Sequence, residues 1–532
     1  MKTIALLSML HEAPAANSGT RRFRGEAVLA WTLRRLARST RLNGVFVSAW
    51  LDQRGGLHNV LADSDIHDCG TRRPIQQLDA ITAAQRWSDG WRGGLLATCA
   101  FDRGYVGEIV LELMTRSDAD AIVLIDPAAA LVDSQIIDRL IQTAADGQRD
   151  YYFTQAPPGL GGVLLKRAMA ERLATGRTHP GKVVHYLPDA PVLDPVTSDA
   201  CVAMPLEISR SLDQFLLDSE RQINRITAAT EPLNGTLIST EANAIAMRVA
   251  TVQRRSKFPR EIVIELTARR LTRPVFNPIS HLSIDRADLS LESLDRVLAQ
   301  ATRYDDVRIT LAGIGDPLLH PQLPDVLSRL QGLHAVSLET DLLETSKETL
   351  DALVRANIDV ISVHVPAMTP ATYAAMMGAD RLMEAVENIK RLLWARQQRG
   401  QGTPIIAPTF VKATANLDEM EQWYDTWLSA IGSAVITGPG TFAAQVPDCS
   451  AADMSPPVRR ACQRIESRLT ILSDGKIVMC EQDVLGINAL GHVLTQDLED
   501  VWNQGMQPLR TAHAGGQPLP VLCTACRDWY RP

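Results

Sequence analysis

The chain has 532 residues, 45% of them hydrophobic and 22% charged, with a net charge of −7. That composition supplies apolar material for more than one core and excludes a disordered chain. The negative balance argues against a broad electrostatic footprint for nucleic acid or an anionic membrane, and no run reaches the ~18 to 20 apolar residues that span a bilayer.

The first sixteen residues have the outline of a secretory leader, with Lys2, a short apolar run and small residues. His11 and Glu12 cut that run short, and residues 4–10 read instead as a first buried strand. Strands are expected at 45–50 and 121–125, and helices at 27–39 and 134–145. This alternation predicts a mostly parallel sheet covered by helices, up to about residue 230. Residues 231–260 read as a linker that ends in the basic stretch Gln253-Arg-Arg-Ser-Lys-Phe-Pro-Arg260. From Glu261 the rhythm restarts. Strands are expected at 262–266, 307–311, 335–339, 360–364 and 405–410, with helices between them such as 291–301 and 383–396. Repeated βα units at this spacing predict a barrel or part of one over 261–455. The remainder, 456–532, is shorter-ranged, and Asp474-Gly475 predicts a hairpin turn between strands at 469–472 and 476–479. The fold class is α/β.

Eight cysteines are present: Cys69, Cys99, Cys201, Cys449, Cys462, Cys480, Cys523 and Cys526, five of them in the last 84 residues. In a large chain without a convincing leader, clustered cysteines indicate a metal or cluster site rather than a disulfide framework. The isolated Cys69, Cys99 and Cys201 are expected as small buried hydrophobes, and Cys449 as a spare thiol. Cys523-Thr-Ala-Cys526 places two thiols on one turn, suited to a metal, a cluster or a redox dithiol. With Cys462 and Cys480 it completes four thiolates, the ligand set of a [4Fe–4S] cluster or a structural zinc ion.

The segment around these cysteines resembles the SPASM/twitch domain appended to many radical S-adenosylmethionine (SAM) enzymes. The matching residues are Cys462, the run from Leu469 to Cys480, Asp483, Gly491-His-Val493, Val501-Trp502, Leu509-Arg510 and Cys523-x-x-Cys526. The resemblance implies one auxiliary [4Fe–4S] cluster on Cys462, Cys480, Cys523 and Cys526, with zinc as the alternative. The likeness continues upstream. Radical SAM barrels open with a strand ending Glu-Leu-Thr and then C-x3-C-x2-C. Here Ile262-Val-Ile-Glu-Leu-Thr267 is followed by Arg270, Pro274 and Asn277 at the three cysteine positions. None of the three ligates iron as a thiolate does. Gly315-Asp316-Pro317 resembles the family's G-G-E-P strand end, which contacts the SAM amino group. Residues 361–373 resemble its strand followed by T-P-x-x-Y, and Glu387-Asn-Ile389 and Asn416-Leu-Asp-Glu419 also fit. The resemblance implies a partial radical SAM-type barrel without its radical cluster. SAM binding through Gly315, Asp316 and Pro317 is left open.

Residues 1–230 resemble a GT-A-type cytidylyltransferase domain, through the first strand, the loop Gly19-Thr-Arg-Arg-Phe-Arg-Gly-Glu26 and the segment Leu131–Ile141. The loop position that carries a lysine in that family is Glu26, and Ala128, Ala129 and Ala130 stand where metal-binding aspartates are expected, leaving Asp126. A Mg2+-nucleotide site needs such a carboxylate, so weak or absent nucleotidyl transfer is expected. Arg21, Arg22 and Arg24 are candidates for holding an anion.

These resemblances imply a cytoplasmic, non-radical iron–sulfur protein that binds a small-molecule, sugar or peptide substrate or serves as a partner of an active radical SAM enzyme. No nucleic acid and no membrane span are expected. The alternative is an enzyme that uses SAM or a nucleotide in non-radical chemistry, or residual sugar nucleotidyltransferase activity in the N-terminal domain.

Overall fold

Central parallel strands are covered on both faces and are therefore apolar throughout. The strand β1, Thr3–Ser8, is buried at every position, as is Ala121–Ile125 beside it. The computed structural model describes residues 1–58, 60–62, 65–186 and 194–531. It divides into two units, Met1–Gln253 and Arg254–Pro532. Among the described residues, no helix is long and apolar enough to cross a membrane.

The first unit is built on a seven-stranded sheet. Its strands are β1, β4 (Gly44–Ala49), β5 (Ile66–Asp68), β6 (Ala121–Ile125), β7 (Tyr151–Thr154), β8 (Val163–Lys166) and β9 (Cys201–Val202), in the order β5-β4-β1-β6-β8-β7-β9. A small hairpin, β2 (Arg22–Phe23) and β3 (Glu26–Ala27), precedes β4. The centre is parallel, and β8 runs antiparallel to both β6 and β7. Asp133 caps the helix Ser134–Asp146 by accepting from Gln135 N, and it also accepts from Ala242 N at 2.6 Å.

That second bond corrects one expectation. Residues 231–253 are no linker. Leu237, Ala242, Ile245, Ala246 and Val249 lie in the same buried cluster as β1 and β6. The buried Arg35 donates to Leu237 O at 2.6 Å and to Thr240 O at 2.9 Å. The helix Ala242–Val249 presents its apolar residues at a 3.6 period, a signal diluted by the polar residues around it. Phe258, in the basic stretch, is buried in the core of the second unit.

The second unit has a nine-stranded sheet. Its strands are β10 (Glu261–Ile264), β11 (Arg308–Leu311), β12 (Ala335–Thr340), β13 (Val360–His364), β14 (Ile405–Val411), β15 (Val435–Thr437), β16 (Arg468–Ile471), β17 (Lys476–Val478) and β18 (Ala489–His492). The order is β15-β14-β13-β12-β11-β10-β16-β17-β18. Strands β10 to β15 are parallel and adjacent in chain order, each joined to the next by helical segments, so the sheet is an open partial barrel. β16 pairs in parallel with β10 on its other side, and β17 and β18 continue antiparallel. The segment 456–532 therefore extends the barrel sheet, and Leu469, Ile477 and Trp502 share one core with Ile262, Leu311 and Ile361.

Strand alternation divides this sheet into two faces. Ile262 and Ile264, Ile309 and Leu311, Val336 and Leu338, and Leu469 and Ile471 enter the core beneath the helices. Glu261 and Val263, Thr310 and Ala312, Glu339, and Arg468 and Thr470 point the other way, into the concave side. At the hairpin, Gly475 adopts φ +83°, and a Cβ there would lie 2.8 Å from the His492 ring. The Asp-Gly turn is thus fixed by both backbone and packing.

Candidate functional site

In open parallel α/β sheets, ligand sites form at the carboxyl ends of the strands. The loop after β10 brings Arg270 there. Its guanidinium is enclosed, with 3% of the side chain exposed, and it pairs with Asp341, 1% exposed, just past the end of β12. Nε donates to Asp341 Oδ2 at 3.0 Å, and Nη2 donates to Oδ1. Thr272 Oγ1 donates to Oδ2 at 2.5 Å. His364, at the end of β13, places Nδ1 3.1 Å from Arg270 Nη2 and 3.3 Å from Asp341 Oδ1. Burial alone would push the Asp341 carboxyl up. The Arg270 charge and His364 outweigh it and hold the group well below the usual carboxylate range.

Pro274 and Asn277 are buried in the same loop. Asn277 caps the turn Pro278–Ser280 by accepting from Ile279 N at 3.0 Å. The loop docks on the helix Pro370–Met377, with Arg273 N and Val275 N donating to Met377 O and Met376 O at 2.9 Å. Gly315, Asp316 and Pro317 stand beside it, and their polar groups are committed. Asp316 accepts from Thr340 Oγ1 at 2.8 and 2.9 Å, from Asp341 N at 2.9 Å and from Leu318 N at 3.0 Å. Burial, then the neighbouring Asp341, raises its carboxyl above the usual range. A Cβ on Gly315 would lie 2.1 Å from Thr267 O, so the loop and the strand end meet backbone to backbone. The remaining landmarks are also ties between strand ends. Asn388 Nδ2 donates to Leu342 O, Asn416 Nδ2 to Pro366 O, and Thr369 and Thr372 both donate to Glu419.

The four cysteines Cys462, Cys480, Cys523 and Cys526 line one small cavity with Ile465, Leu509, Leu522 and Trp529. Arg459, Arg464, Gln482, His513 and Asp528 also line it. Arg459 Nη2 donates to Cys523 O at 2.6 Å, and Asp528 N donates to Cys526 Sγ at 3.3 Å. Burial raises the thiols of Cys480 and Cys526 and pushes Cys523 up to about 11. Thiols in such surroundings become thiolates only when a metal group neutralises them. Among the described residues, no three His, Cys, Asp or Glu side chains converge on a single ion position. Four sulfurs around a largely apolar cavity, with two arginines and an amide donor beside one carboxylate, Asp528, suit a [4Fe–4S] cluster in donor type. Cys449 lies outside this wall, and Cys69, Cys99 and Cys201 are half-buried or buried elsewhere.

The concave face encloses a cavity of about 620 Å3. Sequence reasoning passed over its lining residues Glu261, Glu265, Glu339, Arg468 and Glu481. The signal was the recurrence of polar residues such as Glu261, Thr310, Glu339 and Arg468 at cavity-facing strand positions, where doubly covered parallel strands are ordinarily apolar. Arg468 bridges Glu261 and Glu481, each at 3.0 Å, and Arg464 also pairs with Glu481. Glu265 pairs with Arg286 at 2.6 Å and accepts from Ile314 N and Ser473 N.

In the first unit, Glu26 pairs with Arg34 at 2.7 Å on the surface. Arg24 donates to Thr230 O and Thr230 Oγ1, which commits it to the fold. Asp126 pairs with Arg103 at 2.5 Å, and Arg103 also pairs with Asp218. Ala128, Ala129 and Ala130 are fully buried in the core.

Residues 274–397 match the radical SAM superfamily, and residues 462–527 match SPASM, an iron–sulfur cluster-binding domain. Over 296 residues the chain is 27% identical to an uncharacterized protein of Treponema pallidum (strain Nichols), covering 51% of this chain and 79% of that protein. BtrN in complex with AdoMet and 2-DOIA is similar at a TM-score of 0.35 and 12% identity, over 49% of this chain and 88% of that one. Streptococcus suis SuiB bound to the precursor peptide SuiA is similar at 0.40 and 14%, over 58% and 75%. The chain carries a radical SAM domain and a SPASM domain, and these domain types imply an iron–sulfur cluster and SAM binding.

Proposed function

We propose that this chain keeps the SPASM cluster and has given up radical chemistry, acting as a ligand-binding or partner subunit. The observation that carries the reading is the Arg270–Asp341 pair. In the radical SAM arrangement three thiolates after the first barrel strand hold three irons and leave the fourth free to chelate SAM. No cysteine stands between Cys201 and Cys449. Arg270, Pro274 and Asn277 offer no thiolate, so the donor set does not fit that cluster. The guanidinium at the first of these positions is consumed by Asp341, Thr272 and His364. Asp316, the counterpart of the SAM-contacting acid, has its oxygens filled by Thr340, Asp341 and Leu318.

The tail differs. Cys462, Cys480, Cys523 and Cys526 would hold one [4Fe–4S] cluster, which supplies one-electron transfer when bound, and Arg459, Arg464 and the Asp528 amide would offset its charge. Cluster binding also contributes folding free energy. For the first unit, we read a GT-A-like fold whose nucleotide-handling positions have become structural: Glu26 and Arg34 form a surface pair, and Asp126 is spent on Arg103. An oxygen-sensitive cluster and unpaired thiols suit a reducing, cytoplasmic setting.

The test is anaerobic reconstitution with iron and sulfide, then incubation with SAM and dithionite. The reading expects about four irons and four sulfides per chain, lost in Cys480→Ala, and no 5′-deoxyadenosine above a no-protein control. Release of 5′-deoxyadenosine would overturn the non-radical reading, and stoichiometric zinc would overturn the cluster.

A further inference from the structure

The charges lining the barrel cavity do not balance. Five acids face it, Glu261, Glu265, Glu339, Glu481 and Asp528, against three arginines, Arg464, Arg468 and Arg531. Arg464 and Arg468 serve Glu481 and Glu261. Arg531 serves Asp528 Oδ1 at 3.1 Å, and Arg286, from outside the lining, serves Glu265. Every cation is thus spent. Glu339 is left over. Its carboxylate projects from the middle of the sheet into the cavity. Among the described residues it has no hydrogen-bond or ion-pair partner; loss of solvation raises its carboxyl above the usual range, with His364 and Arg468 opposing that and Glu481 and Glu261 adding to it.

A second observation points the same way. Gln482 and Asp528 are 4% and 5% exposed, and both line the cavity. Gln482 Oε1 and Asp528 Oδ2 are buried without a hydrogen-bond partner. Buried acceptors are ordinarily satisfied, and an orphaned one costs about 1 to 3 kcal/mol. Two buried acceptors without donors and the unpaired carboxylate of the exposed Glu339 therefore line a cavity of a size that holds small molecules, and its arginines already face carboxylates.

We propose that the barrel cavity binds a small cationic ligand bearing a primary amine or guanidinium, with Glu339 as its counter-ion and Gln482 Oε1 and Asp528 Oδ2 accepting its N–H groups. The inference rests on the reading of this protein as ligand-binding. Arg464, Gln482 and Asp528 also line the cysteine cavity, so the ligand lies against the wall of the cluster site.

Calorimetry on the full reconstituted chain tests this with putrescine, agmatine and glucosamine as amine probes. Butane-1,4-diol, N-acetylglucosamine and succinate serve as neutral and anionic counterparts. We expect at least one amine to bind, its counterpart not to bind, and Glu339→Gln to weaken the amine roughly ten- to a hundredfold, the range for a lost charged hydrogen bond. Glu339→Asp should retain part of the affinity, and Glu387→Gln, on the outer helix, all of it. Melting curves establish that each variant is folded, and Asp528→Asn supplies the same reading where Glu339→Gln does not fold. Binding of succinate, amine affinity unchanged in Glu339→Gln, or no binding of any amine overturns the proposal. The 5′-deoxyadenosine assay is read separately, so either claim can fail while the other stands.

Discussion

Replacing Arg270 by alanine removes a guanidinium from a carboxylate that is 1% exposed. Asp341 then keeps the Thr272 hydroxyl at 2.5 Å and His364 at 3.3 Å, but loses the Arg270 cation. Breaking a buried pair from one side costs about 3 to 5 kcal/mol, because the remaining charge is left uncompensated. At roughly 2 to 4 °C per kcal/mol for a unit of this size, the midpoint should fall by about 6 to 20 °C. The pH dependence carries a sign. In the wild-type fold the Asp341 carboxyl is held below its usual range. The pair therefore stabilises above the unfolded carboxylate range and loses that contribution only in strong acid. In Arg270→Ala burial dominates and the carboxyl rises. The folded variant then takes up a proton, and its deficit should shrink as pH falls from 7.5 toward 5. Thermal melts of wild type, Arg270→Ala, Asp341→Asn and the double variant at both pH values form the assay. A deficit under about 1 kcal/mol, or a coupling energy near zero in the cycle, would refute the claim that Arg270 is held for Asp341.

Cys523→Ser should lose most of the iron of the reconstituted protein and lower its midpoint, read by iron and sulfide analysis beside a melt, whereas Cys449→Ser should keep both. A fragment ending at Gln253 should fold cooperatively, whereas one ending at residue 230 should not, since it lacks Leu237, Ile245 and Val249; circular dichroism melts distinguish them. Arg35→Ala leaves the carbonyls of Val132, Leu237 and Thr240 without their donor and should cost the same fragment about 2 to 4 kcal/mol in urea titration. Burial pushes the Glu12 carboxyl up to about 7. The folded form thus binds a proton that the unfolded chain has released, and the first unit should lose stability as pH rises from about 4.5 through 7, a slope that Glu12→Gln removes.

The sequence was informative wherever the physical signal is local. Cys523-x-x-Cys526, the Asp474-Gly475 turn and the restarting βα rhythm each lie within a few residues, and the cavity of four thiols and the strands β10 to β14 stand where they were expected. Side-chain partnership across strands was not legible. Asp341 lies 71 residues from Arg270, and Glu261 meets Arg468 across 207. Only the parallel register of β10 with β11 and β16, and of β11 with β12, places them on one face. The packing of residues 231–253 into the first core was hidden for the same reason, because its apolar stripe has meaning only against β1 and β6. The amino-acid order alone pointed to the radical SAM and SPASM domains and to the four thiols that line one cavity. The tertiary structure decided that the barrel's second face is polar, that its arginines are spent on each other's neighbours, and that Glu339 is left without one, because charge balance is a property of residues brought together by the sheet and not by the chain.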